Sequence, residues 1–233
     1  MDLRLEGLRL TWSGFSLEAD LAVPEGDSVA VIGPSGAGKS TLLALIAGFE
    51  APDTGRILFG GDDLTATGPA ARPVTMVFQD NNLFPHLSLS RNVGLGLDPS
   101  LRLDRAGWAR VEAALAEVGL AGLGDRKPGQ LSGGQQSRAA LARALLRNRP
   151  ILLLDEPFAA LGPALRREML DLVARIRAER GMTLLMVTHD PEDAARIAAH
   201  TIFLAHGRAA PPAPTRALLA DPPPALAAYL GSD

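Results

Sequence analysis

The stretch SVAVIGPSGAGKSTLLALIAGF (28–49) leaves this chain few ways to fold. SVAVI is a short, continuous apolar run of the kind that forms a strand buried on both faces, and a helix pattern starts at Lys39 with no linker. Between them GPSGAGKS, from Gly33 to Ser40, fits G-x-x-x-x-G-K-[ST] in the strand-to-helix context that the motif requires. Gly33, Gly36 and Gly38, with Pro34, Ser35 and Ala37 between them, let backbone amides converge on a polyphosphate, and the helix N-terminus adds partial positive charge. Lys39 reaches the terminal phosphates, Ser40 supplies a hydroxyl to Mg²⁺, and Thr41 completes the set. Lysine occurs only at positions 39 and 127, so composition does not place one in this slot.

VTMVF (74–78), ILLLD (151–155), TLLMVTH (183–189) and TIFLA (201–205) read as further buried strands of a mostly parallel sheet, with helical patterns between most of them. LRLEGLRLTW and FSLEADLAV (15–23) suit an antiparallel edge at the start. From 88 to 148 the helical patterns run with no apolar strand between them. The expected organisation is an α/β core of residues 1–87 and 149–208 with an antiparallel β subdomain, an inserted α-helical subdomain at 88–148, and a Pro/Ala-rich helical tail at 209–233 with no regulatory domain.

ILLLDEP ends a strand in two carboxylates, which alternation points in different directions. Asp155 is then the candidate for the metal shell and Glu156 for the general base on an attacking water; alone, the pair could equally be a solvated strand exit. His189 ends another strand, and ligands bind beyond the carboxyl ends of parallel strands. By position it is either a γ-phosphate contact or a polar side chain without that role. Gln79, just after VTMVF, is either a ligand of Mg²⁺ or water or an ordinary loop residue.

A net charge of −3 gives no basic footprint for nucleic acid. No stretch free of Asp, Glu, Lys and Arg exceeds 11 residues, too short for a membrane helix, and the charged N-terminus MDLRLEGLRL is no signal peptide. Any membrane connection is expected to run through a partner. The absence of cysteine excludes disulfides and thiolate metal sites.

A second glycine segment, QLSGGQQSR (130–138), opens another helix. Ser132 and Gln135 fit a capping box, but a cap does not explain Gly133 and Gly134, which give up helix propensity. A helix start of Ser-Gly-Gly offers a hydroxyl, amides and the favourable dipole end to a second anion.

With LSGGQ (131–135) the chain resembles the ATP-binding subunits of ABC transporters, the P-loop NTPases of the ABC ATPase type. The order GPSGAGKST, Gln79, LSGGQ, ILLLDE, His189 matches that family over about residues 3 to 208. The resemblance implies ATP and Mg²⁺ as cofactors and a head-to-tail dimer in which Ser132, Gly133, Gly134 and Gln135 of one copy close over the ATP of the other. It implies metal and lytic-water contact for Gln79, with Ser40 and Asp155 in the Mg²⁺ shell, and γ-phosphate contact for His189. It also suggests an aromatic that stacks on adenine; Trp12 is the candidate, packing on the edge strand being the alternative.

Two positions depart from the family pattern. AALG carries Gly162 where an aspartate usually reaches across the dimer, which implies that communication between the two ATP sites is weaker or carried by other groups. QQSR replaces the commoner QRQR.

FQDNNLFPHLSLSRNVGLGLDPSLRL (78–103), PFAALGPALRREMLDLV (157–173) and MTLLMVTHDPEDAARIA (182–198) are similar to a narrower branch, the ATPases of bacterial thiamine importers. That likeness implies transmembrane permease subunits and a periplasmic solute-binding protein as partners, no nucleic acid, and a place on the cytoplasmic face of the inner membrane. Phe84, Pro85 and Leu87 would contact the permease or form a local core. ATPases of importers for iron, polyamines or sulfate are the alternative, and a non-transport ABC ATPase acting on nucleic acid a more remote one.

Overall fold

The computed structural model describes residues 1–12 and 14–231. The strands are β1 (Leu3–Trp12), β2 (Phe15–Val23), β3 (Ser28–Ile32), β4 (Thr54–Phe59), β5 (Asp62–Asp63), β6 (Val74–Val77), β7 (Ile151–Asp155), β8 (Thr183–Val187), β9 (His200–Ala205), β10 (Arg208–Ala209) and β11 (Ala213–Pro214). The helices are α1 (Lys39–Ala47), α2 (Leu89–Gly94), α3 (Arg105–Glu117), α4 (Gly133–Leu146), α5 (Pro163–Arg180), α6 (Pro191–Ile197), α7 (Thr215–Ala220) and α8 (Pro224–Leu230).

β3 is buried along its whole length, so it needs a strand on each edge and a packed layer on each face. It lies between β9 and β8, parallel to both, and β7 and β6 continue the parallel order. Alternate residues serve opposite faces. Ala30, Leu152, Leu154, Leu184 and Met186 join the cluster that contains the buried faces of α3, α4 and α5, whereas Val29, Val31, Leu153, Leu185 and Val187 join the one around α1 and the β1–β2 hairpin.

The antiparallel edge is present: β1 pairs with β2 and with β4. It meets the parallel sheet through β10, which pairs two residues with β2 and two with β9.

α1 is fixed at its far end by Arg72, which sequence reading passed over. This side chain is 1% exposed and donates four hydrogen bonds to backbone carbonyls, two of them at Leu45 and Ile46 in the last turn. Burial lowers its pKa, and the negative end of the helix dipole favours the cation there.

The segment after β9 is more than a helical tail. After β10 it adds β11 beside the start of β9, at Thr201 and His200, despite its prolines, because an edge position asks few donors of it. α7 and α8 follow, and Leu226 is fully buried in the core.

Candidate functional site

β8 lies between β3 and β7, so the carboxyl ends of the three strands share one edge of the sheet, and the phosphate loop leaves the end of β3. Gly33 sits at φ +151 with its backbone against β9: a Cβ built on it would lie 1.9 Å from the Leu204 carbonyl oxygen. Gly38 takes φ +107 as the N-cap of α1 and lies under the ring of Phe15. Lys39 is 7% exposed, and its Nζ donates to the Gly33 and Pro34 carbonyls at 2.8 and 2.9 Å. Burial lowers its pKa, while Glu156 and Asp155 oppose that shift. The loop opens on a cavity of about 380 Å³ lined by Phe15, Ser35, Gly36, Lys39, Thr41 and Glu156, among others.

The two strand-end carboxylates meet different partners, although Glu156 has already left β7 and strand alternation does not set its direction. Ser40 Oγ donates to Asp155 Oδ1 at 3.0 Å. Burial is the main cause that raises the Asp155 pKa; the Ser40 hydrogen bond lowers it, Glu156 raises it and Lys39 lowers it. Glu156 adopts φ +43, in the left-handed region that non-glycine residues avoid. Its Oε2 lies 3.0 Å from Nδ1 of His189.

The loop that carries His189 is tied to the segment after Glu156 by Arg166 on α5. One Arg166 nitrogen donates to Asp190 at 3.0 Å and another to the Ala159 carbonyl at 3.2 Å. Thr188 adds a hydroxyl that accepts from the Asp190 amide.

Gln79 stays apart from this set. The β6–β7 register brings Val77 beside Leu154, and so carries Gln79 to the level of Glu156, but its side chain is exposed and makes no hydrogen bond among the described residues. Trp12 is 56% exposed and does not line the loop cavity. The aromatic that does is Phe15, its cross-strand partner. Strand pairing across the hairpin was the signal that links the two.

The LSGGQ helix start is capped as its sequence requires. Ser132 Oγ accepts from the Gln135 amide at 3.3 Å, and Gln135 Oε1 accepts from the Ser132 amide at 3.0 Å. The two glycines differ. A Cβ on Gly134 would strike Leu165 of α5 at 2.3 Å, so this glycine serves internal packing, whereas Gly133 is exposed and open. Gln136, part of the departure from QRQR, donates to the Pro128 and Leu131 carbonyls and so holds the approach to the helix. Gly162 is the N-cap of α5 and supplies no side-chain cap.

A second hollow, of about 670 Å³, lies between the sheet and the helices α2 to α4, with Phe49, Met76, Phe78, Leu97 and Arg147 in its lining. Phe84 is 47% exposed and Pro85 exposed, with Leu87 half-buried, so Phe84 does not form a local core. The loop that presents them is fixed by two side chains that sequence reading did not single out. Asn92, fully buried, bonds both backbone groups of Phe84, and Arg143 donates to the Asn81 and Asn82 carbonyls.

A phosphate loop, a strand ending in paired carboxylates and a capped glycine helix start together define a nucleotide-binding α/β ATPase. The model of the ABC transporter family matches residues 17–159, and the chain belongs to that family as one of its ATPase cassettes. The thiamine import ATP-binding protein ThiQ of Cereibacter sphaeroides is 64% identical over 229 residues, covering 98% of this chain and 99% of the relative. That of Ruegeria sp. is 60% identical over 230 residues, covering 99% and 100%. The similarity therefore runs past residue 208 into the tail. Among solved structures, an ABC transporter ATP-binding cassette in its ADP conformation superposes with a TM-score of 0.89 at 27% identity, covering 99% of each chain. A dimeric ATP-binding cassette in a post-hydrolysis state with ADP and Pi gives a TM-score of 0.78 at 30% identity, covering 93% of this chain and 99% of that one.

Proposed function

We propose that the chain hydrolyses ATP with Mg²⁺ to energise a membrane importer of thiamine or its phosphates. The observation that carries the hydrolytic part is the Glu156–His189 contact at the rim of the phosphate-loop cavity. In this reading the loop amides and Lys39 hold the phosphates, Glu156 takes the proton of the attacking water, and His189, oriented through Nδ1, turns its other ring nitrogen to the γ-phosphate. Ser132, Gly133, Gly134 and Gln135 of a second copy, arranged head to tail, complete the site. The dimeric structure of the ATP-binding cassette with ADP and Pi supports that arrangement. Gln79 joins the metal and water from the level of Glu156. Trp12 and Phe15 together offer the adenine a face at the end of the hairpin.

The residues present fit Mg²⁺. Ser40 and Asp155 place two hard oxygens side by side, and Mg²⁺ binds through one or two protein oxygens with phosphates and water making up the rest. There the ion supplies charge neutralisation on the phosphate oxygens. Asp155 is held ready at a cost. Because its pKa is raised, its favourable contribution to stability is present below the ordinary carboxylate range and is lost as pH rises through the raised value. Asp155→Asn keeps the acceptor for Ser40 and removes that cost. The nucleotide-free variant should melt at a higher temperature than wild type at neutral pH, while Mg²⁺-dependent hydrolysis falls. A thermal melt that is lower than wild type at neutral pH contradicts it.

Thiamine as cargo is supported by the full-length similarity to thiamine import ATP-binding proteins. The hollow lined by Phe49, Phe78 and Leu97 is read as the seat of the permease, with the exposed Phe84 as a further contact and residues 88–148 moving as a helical subdomain against the core of 1–87 and 149–208. No helix among the described residues is long and apolar enough to cross a membrane, so attachment to the cytoplasmic face of the inner membrane runs through the permease. The test is ATP turnover of the chain co-purified with its permease, in the presence of the periplasmic binding protein. Thiamine-loaded binding protein is expected to stimulate turnover several-fold; stimulation only with iron, polyamine or sulfate replaces the cargo and leaves the ATPase.

A further inference from the structure

The last helix reaches the catalytic centre. α8 is anchored by Leu226, which is 0% exposed, and the ring of Tyr229 packs beside Phe203 of β9 with centroids 6.3 Å apart. This places the Tyr229 hydroxyl 3.2 Å from the carbonyl oxygen of His189, to which it donates. No other hydrogen bond to that carbonyl is formed among the described residues. The chain there has left β8 and not yet entered α6, and Pro191 has no amide to give.

We infer that Tyr229 is a positioning residue for ATP hydrolysis, holding the backbone of His189 so that its imidazole stays on Glu156. The inference rests on the roles proposed above for His189 and Glu156. The His189 side chain is 54% exposed, so its direction is set by its backbone and by the contact with Glu156 rather than by surrounding packing. An imidazole displaced by about 1 Å costs up to a hundredfold in rate. The neighbours of the hydroxyl fit this role. Burial raises the Tyr229 pKa, the Gly33 backbone opposes that rise, and the carboxylates of Glu156 and Asp190 add to it. The hydroxyl thus remains a donor across the neutral range and sits within reach of both the phosphate loop and the base. The parallel register agrees: Val31 lies beside Val187, which sets Gly33 level with His189.

The test compares Tyr229→Phe with His189→Ala in the full chain, reading kcat, KM for ATP and Tm. Phenylalanine keeps the ring against Phe203 and removes only the donor. Its kcat is expected to fall about threefold to tenfold, the range of one neutral hydrogen bond, with KM within about twofold and Tm within about 2 °C of wild type. His189→Ala is expected to lose more. A fall in Tm with kcat per folded molecule unchanged makes Tyr229 a packing residue and overturns the inference. Unchanged kcat in Tyr229→Phe beside a collapse in His189→Ala overturns it as well and leaves His189 in its role. Turnover undiminished in both variants removes His189 from catalysis and the inference with it.

Discussion

Glu156→Gln is expected to bind ATP as tightly as wild type and to hydrolyse it about a thousandfold more slowly, within the range that a general base supplies. The amide is isosteric and can still meet Nδ1 of His189, so the 3.0 Å contact and the local backbone are kept while the proton acceptor is lost. The backbone strengthens the case for function. Glu156 holds φ +43, a conformation that costs a non-glycine residue about 1–3 kcal/mol. His206, in the exposed turn after β9, adopts φ +49, so at Glu156 the strain carries weight together with the His189 contact and the place on the cavity wall. With hydrolysis blocked, ATP should accumulate a stable dimer visible by light scattering. Single-turnover hydrolysis within tenfold of wild type would remove Glu156 from the role of base.

Gly33→Ala should abolish folding before it can affect nucleotide binding. The new methyl would overlap the backbone oxygen of Leu204 at 1.9 Å, and φ +151 is open to glycine alone among ordinary residues. Neither side can yield, because Ile32 and Phe203 are paired in the sheet directly before the contact. A clash with fixed backbone belongs to the rare substitutions that cost more than about 4 kcal/mol, a large share of a domain's total stability. Gly36→Ala is the control. Gly36 has φ +77 with nothing near its Cβ, so it pays only strain of about 1 kcal/mol and should fold while losing ATP affinity. Purified yield and Tm of the two variants decide the matter. A Gly33→Ala protein that melts within a few degrees of wild type contradicts the assignment.

The contrast shows what a motif conveys. G-x-x-x-x-G-K-[ST] and the carboxylates of ILLLDEP were legible because each is a local pattern whose chemistry needs neighbouring residues only. That Gly33 answers to β9, and not only to a phosphate, depends on a strand some 170 residues away. The same distinction separates Gly133 from Gly134: the sequence shows a pair, and only packing against Leu165 divides them. Arg72, Asn92 and Arg143 stayed hidden because their partners are backbone carbonyls and amides, which leave no complementary residue type in the sequence. Phe15 was overshadowed by Trp12, since the exposure of one and the loop contact of the other are settled by packing and not by residue type. The tail has the helices expected of it, α7 and α8, but its attachment to the sheet and core was not legible for a related reason. Prolines do argue against a new sheet, but a two-residue strand at an existing edge and a helix anchored by Leu226 ask little of local propensity.

In the plane of the sheet, among the described residues, the β1–β2 hairpin is fastened to the parallel strands by the short β10, two residues wide, and the bond from the Glu18 amide to the Gly207 carbonyl beside it. Such a joint is compliant where the rest of the sheet is stiff. On the proposed reading a nucleotide held along the cavity from Phe15 to Ser40 would bridge that joint and act as a strut between hairpin and loop. Rigidity would then be something this cassette takes up from its fuel and gives back when the fuel is spent.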